Sequence, residues 1–353
     1  MSINILDVFG GNAFGVDSLT QVVNDFTPVY TYLNALGLFM GEGVTQRTAV
    51  VDFDVTTNQL LPSSVWGGPG VANRSGHSRS RSYSIPHFPI VDTVLASDLM
   101  GRRRPGSDAM QDAQWVLAKK MLEMRRKLDQ TLEWLRLGVL KSGQVKDGYG
   151  NLILDIYADF GITQQVTSFA LATATSNIMG EIAAVKRNSI IALRGEICTN
   201  FVALCSDTFF DAFVGHPNVK VAFTYYQNNT NQNLATDYSS DRNMPDDQGN
   251  FNRVAGFVFG NVLWINYTGS VTDSNGAVQP MIDTGSAYLV PFGTSVFRNW
   301  FAPADYMETV NTEGLPFYAK QRLMDFDKGI QVECQANPLP ICLKPLVIQK
   351  LTL

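Results

Sequence analysis

Charge is scarce in this 353-residue sequence. Asp, Glu, Lys and Arg together make up 17% of it and apolar residues 45%, whereas about a quarter of an ordinary soluble domain is charged. A chain that spends so little on charge often hides surface against copies of itself. Histidine is rarer still, with His77, His87 and His216 scattered along the chain. Cys198, Cys205, Cys334 and Cys342 show no Cys-x-x-Cys spacing. A metal site needs clustered ligands, so these cysteines read as buried free thiols, and no metal ligand set is expected. No signal-peptide pattern opens the sequence, and no apolar run approaches the ~18 residues of a membrane span, so a reducing cytoplasm is the expected compartment for folding. The glycines of "WGGPG" (66–70) lack the Lys-Ser/Thr and the helix start that a phosphate loop requires.

A second catalytic aspartate is also missing. "MIDTGSAYLVPFG" (281–293) carries Asp283-Thr284-Gly285-Ser286, which resembles the active-site turn of an aspartic-type protease. Such an enzyme needs two carboxylates sharing one proton, and a chain this long must supply both motifs itself. The nearest approach, Asp92-Thr93-Val94, lacks the glycine. Asp283 therefore reads as a turn residue whose side chain bonds nearby backbone. No Ser/His/Asp set survives inspection either. The sequence offers no catalytic residue, no cofactor-binding residue and no metal ligand, and proteolysis through Asp283 stays as the enzyme alternative.

The charge that is present is unevenly placed. Residues 74–146 hold 14 Lys and Arg against 7 Asp and Glu, a balance of +7, and a net charge of −5 for the whole chain leaves −12 for the rest. No aromatic residues interleave the basic cluster at stacking spacing, which favours contacts between subunits over a nucleic-acid surface.

Residues 1–44 are Gly-rich and then mixed apolar, with Pro28 inside, and read as an extended arm carrying a short helix. "RTAVVDFDV" and "YSIPHFPIVDTVLAS" flank a basic, Ser-rich tip, "NRSGHSRSRS", and read as a protruding hairpin. A bare hairpin is marginal in water, so this one and the arm are expected to lie on a neighbour. The clearest element is a helix over 107–142, capped by Ser107 or Asp108 and stopped by Gly143. Met121, Met124, Leu128, Leu132, Leu135 and Val139 form its apolar stripe, with Lys119, Lys120, Arg125, Arg126, Lys127 and Arg136 on the opposite faces. Beyond it come a hairpin turning on Gly148 and Gly150, a helix over "TSNIMGEIAAVKRNSIIAL", a buried strand "NFVALCS" and a helix capped by Ser206. An Asn/Gln/Asp-rich loop (227–250) precedes three strands up to residue 293. The class is α+β.

The C-terminal 65 residues carry a more specific signal. Pro291-Phe292-Gly293 closes an apolar strand, Ala302 to Asp305 reads Ala-Pro-Ala-Asp, Tyr318-Ala319-Lys320 opens a strand, and "QANPLP" precedes the last one. In order and spacing this resembles the lambda-type major capsid protein E family of tailed bacteriophages. Upstream, "DLMGRR" leading into the long helix is similar too. The resemblance implies the tailed-phage/herpesvirus major capsid protein fold. It assigns an N-terminal arm (1–44), an extended β-hairpin loop (45–95), a peripheral domain (96–164 and 291–353) built on the spine helix, and an axial α/β domain (165–290). It further implies hexamers and pentamers of an icosahedral shell enclosing double-stranded DNA, and scaffolding, portal and decoration proteins as partners. The DNA would be held by non-specific contact, with no cofactor and no membrane. The shell would form in the host cytoplasm and persist in the virion. An encapsulin-like nanocompartment shell is the alternative within the same fold.

Overall fold

The structure is a computed structural model that describes residues 16–25, 32–54, 63, 65–67, 78–99, 113–222 and 256–353. Its organising element is the spine helix, Ala113–Ser142. Thirty residues at 1.5 Å per residue make a rod of about 45 Å. The expected cap at Ser107 or Asp108 lies outside the described residues. At the other end Gly143 adopts φ +64° and donates its amide to Val139 O. Any Cβ there would lie 2.5 Å from the Tyr157 ring, so only glycine can stop the helix in this way. All six stripe residues are buried, and Leu117 joins them. Gly138 lies inside the helix, in its last turns. A Cβ on it would meet Gln144 O at 2.4 Å, so its bareness lets the following hairpin fold back onto the last turn.

The first half of the stripe lies under an antiparallel three-stranded sheet ordered Tyr318–Leu323, Gly329–Ala336, Phe88–Leu95. Leu117, Met121, Met124, Leu128 and Leu132 pack there against Val94, Phe317, Ala319, Ile330, Val332, Cys334 and Ala336. Strand Phe88–Leu95, which the sequence reading grouped with the hairpin, is thus hydrogen-bonded along its whole length to Gly329–Ala336. The hairpin itself consists of Thr48–Asp54 and Ser78–Ser84, paired antiparallel. Residues 78–82 of the expected Ser-rich tip belong to the second of these strands, whereas 73–77, the basic run 102–104 and the loop 227–250 lie outside the described residues.

The second half of the helix enters another core. Leu135, Leu137, Val139 and Leu140 pack with Phe297, Leu339 and Ile341 and with the inner face of a six-stranded mixed sheet. That sheet runs Gln165–Ser168, Gln349–Thr352, Ser286–Phe292, Asn200–Cys205, Val262–Asn266, Gly256–Phe259. Its far face carries helices Ile178–Leu193 and Asp207–Gly215 over an aromatic layer. Asn177 caps the first helix and Ser206 the second. Five strands, not three, occupy 256–292, because Ser270–Thr272 and Val278–Pro280 form an extra small hairpin at the Ser-Asn-Gly turn. The last strand, Gln349–Thr352, is inserted between Gln165–Ser168 and Ser286–Phe292.

Arm and hairpin were expected to lie on a neighbour, but their described parts bury apolar faces on their own subunit. Helix Val16–Asp25 places Leu19 and Val23 in the core of the three-stranded sheet. Asn24 donates to Phe317 O (3.0 Å), and Thr20 Oγ1 accepts from Ala319 N (3.2 Å). Helix Tyr32–Leu36 buries Tyr32 and Leu33. The hairpin buries Ala49, Val51 and Tyr83, followed by Ile85, and exposes Val50 on its other face. Strand alternation explains the hairpin: one face carries the apolar set and the other the serines.

Candidate functional site

Asp283 begins a tight turn in which Ser286 N donates to its carbonyl at 3.0 Å. Its Oδ1 pairs with Lys141 Nζ at 2.6 Å, and its Oδ2 accepts from the Tyr288 hydroxyl at 2.8 Å. Burial alone would raise this carboxyl, but Lys141, Tyr288 and the more distant Lys350 outweigh it and hold the group below the usual carboxylate range. A catalytic dyad needs one protonated member, and Asp283 has a cation where the second carboxyl would be. The group ties the end of the spine helix to strand Ser286–Phe292.

The chemistry of the other singled-out residues is equally structural. Burial raises the thiols of Cys205, Cys334 and Cys342, the last two to about 12, so they are inert as nucleophiles. His87 Nδ1 lies 2.8 Å from Asn337 Oδ1, and His216 Nε2 lies 3.1 Å from both Ser176 Oγ and Thr173 O. His77 lies outside the described residues. Among the described residues no group of three or more His, Cys, Asp or Glu could hold a metal ion, and no helix is long and apolar enough to cross a membrane.

The spine helix departs from expectation in its charges. Arg125 and Arg136 belong to the buried face. Arg125 Nε bonds both carboxylate oxygens of Asp129 at 3.0 Å, its Nη1 donates to Val23 O in the arm, and its guanidinium stacks 3.5 Å from the Phe317 ring. Burial lowers its affinity for the proton, while Asp129 opposes that shift. Glu133 and Arg136 continue the row. The signal was present in the sequence: 125, 129, 133 and 136 recur at spacings of four, four and three, two acids flanked by two arginines, which places them on one face. These four residues fasten the arm and the rest of the subunit to the helix.

The outer surface carries what the interior does not explain. Among the described residues five large apolar side chains are more than 80% exposed: Val65, Trp66, Ile197, Met307 and Phe326. They sit in the extended loop, after helix Ile178–Leu193, in the 307–309 turn and at the tip of hairpin 318–336. Phe326 is held at φ +59° in the left-handed region, where a bulky residue is strained.

An α+β subunit with an arm, a hairpin and a spine helix matches known proteins along nearly its whole length. The family described as phage major capsid protein E matches residues 15–353. The major capsid protein of Pseudomonas phage KPP10 is 26% identical over 347 residues, covering 96% of this chain and 97% of that protein. The major capsid protein of Salmonella phage Felix O1 is 26% identical over 358 residues, covering 95% of each. Among solved structures, a phage-related protein of Bordetella bronchiseptica RB50 superposes with a TM-score of 0.51 at 11% identity, over 97% of this chain and 98% of that one. A candidate capsid protein from a prophage of E. coli CFT073 gives 0.53 at 12% identity, over 96% and 99%. The fold is that of tailed-phage capsid proteins, and the chain belongs to the phage major capsid protein E family.

Proposed function

We propose that this major capsid protein closes into hexamers and pentamers of an icosahedral shell around double-stranded DNA. Members of the family build capsids and are structural proteins rather than enzymes. The observation that carries the reading is the family match over residues 15–353. Five exposed apolar side chains at four separated places support it, because a shell subunit needs several modest contacts in several directions. Scaffolding, portal and decoration proteins are the further partners, and packaged DNA would be touched without sequence preference. The domain division at 96–164 with 291–353 and at 165–290 follows the same reading, and so does assembly in the host cytoplasm.

Negative-stain microscopy of the purified protein tests it: rings and closed shells are expected, and a persistent monomer at all concentrations would refute assembly by this chain alone. Replacing residues 70–77 by a short Gly/Ser link should leave the subunit folded, because Ala49, Val51, Tyr83 and Ile85 hold the hairpin base. Shell formation should fall.

A further inference from the structure

Glu133 has no solvent exposure and lies where the spine helix meets two segments far away in sequence. Its Oε1 accepts from Leu33 N at 2.8 Å and from the Tyr267 hydroxyl at 2.9 Å. Its Oε2 has no hydrogen-bond partner among the described residues, and neither does Arg136 Nε. Arg136 is itself buried, donates to Asn34 Oδ1 at 3.2 Å and lies 5.7 Å from the centre of the Phe39 ring. The Tyr32 and Tyr267 rings stand 5.5 Å apart and close one side. One carboxyl group therefore joins arm, spine helix and the end of strand Val262–Asn266, with one oxygen doubly satisfied and the other buried without a protein partner among the described residues. We propose that Glu133 is a proton-operated latch: protonated, it holds segment Tyr32–Leu36 and Tyr267 against the spine helix, and ionised, it draws water into the junction and loosens that segment.

The groups around it decide the direction. From the spine helix Arg136 favours the carboxylate and Asp129 opposes it, the latter already bonded to Arg125. From the arm come the Leu33 amide and the Tyr32 phenol, and from the strand end the Tyr267 phenol. Burial is the largest influence and prevails, pushing the carboxyl up to about 7 from an ordinary 4.5. The folded value thus lies above the unfolded one. Stability from the bound proton is fully present below 4.5 and is lost as pH rises through about 7. An ionised carboxylate with one oxygen buried away from any protein donor is costly, and local opening to water relieves it.

Hydrogen exchange on the unassembled full-length subunit tests the latch, with rates corrected for intrinsic base catalysis. In wild type the opening equilibrium of residues 32–36 should rise about tenfold between pH 6 and pH 8. Glu133→Gln keeps the acceptor oxygen and cannot ionise, so its protection should change less than twofold over that range. Tyr267→Phe removes a donor that favours the carboxylate, so the midpoint should move to higher pH. A flat wild-type profile would overturn the proposal, as would the same tenfold rise in Glu133→Gln or equal loss of protection at both pH values in that variant. If Glu133→Gln fails to fold, Tyr267→Phe decides, and an unmoved midpoint overturns the latch.

Discussion

Two of the hydrophobic layers of this subunit are built from different materials. Above the six-stranded sheet the core is aromatic: Phe169, Phe209, Phe210, Phe213, Phe257 and Trp264 fill it, with Phe213 and Trp264 stacked at 4.1 Å between centroids. Under the three-stranded sheet it is aliphatic and small. Leucines and methionines of one helix meet Ala319, Ala336, Val332 and Cys334. Large flat rings let two helices share one sheet face while each ring buries a large area. Small strand residues instead let the spine helix approach closely, with Leu19 and Val23 of helix Val16–Asp25 beside it. The buried row of charges lies on the spine helix, and three of its members, Arg125, Glu133 and Arg136, bond to the arm. The arm is therefore held by directional polar contacts as well as by apolar area.

Substitutions put this contrast to the test. Trp264→Ala should cost about 3–5 kcal/mol, because it removes the centre of the aromatic stack and its ring neighbours cannot collapse into the space. Denaturant unfolding of unassembled subunits measures it. Arg125→Ala should cost a comparable ~3–5 kcal/mol by stranding the Asp129 carboxylate in a buried site. Combining Arg125→Met with Asp129→Leu should recover most of that loss, since a buried pair replaced by apolar groups is often neutral. If the double variant is as unstable as Arg125→Ala, the pair contributes more than mutual satisfaction. Leu128→Ala should cost about 2–5 kcal/mol, at the lower end if the small strand residues allow the helix to settle inward. Asp283→Asn should cost less than about 1 kcal/mol at neutral pH, because the ion pair with Lys141 is partly solvated. Its signature is acid sensitivity. The folded carboxyl titrates below its unfolded value of 3.8, so its contribution is present above that value and is lost as pH falls through the folded one. The variant should show a shallower loss of thermal stability on acidification. Arg126→Ala, one position from Arg125 but on the exposed side, should change stability by only about 0.5 kcal/mol.

How legible was all this beforehand? The apolar stripe of the spine helix could be read residue by residue, because a spacing of three and four has few alternative meanings over thirty positions. The cap at Ser206 was legible for a similar reason, since its side chain satisfies an amide only if a helix begins beside it; Asn177, which caps the helix before it, was not singled out. Charges on the spine helix were not legible. A guanidinium reads as solvent-facing until its partner is noticed, and the partners of Arg125 are a carboxylate one turn on and a carbonyl in the arm. The arm was misjudged by the same logic: its apolar face looked homeless because its partner strand begins near residue 318, some three hundred positions away. The family was recognisable from the order of short C-terminal motifs, an ordering that no single motif carries. Asp283 was resolved by what the chain lacked, and the structure supplies its actual partners.

The strand Gln349–Thr352 has a consequence for how the subunit comes to exist. It pairs in parallel with Gln165–Ser168, about half the chain length away, and lies against Ser286–Phe292 on its other side. Those pairings join distant positions, so the entropy of closing a very long loop must be met before any of their hydrogen bonds return it. Until then Ser286–Phe292, buried at nearly every position in the finished sheet, presents an unpaired apolar edge. Maturation of the chain should therefore be slow, and its yield should fall with concentration: a nascent subunit has to find its own last strand before another copy's edge finds it.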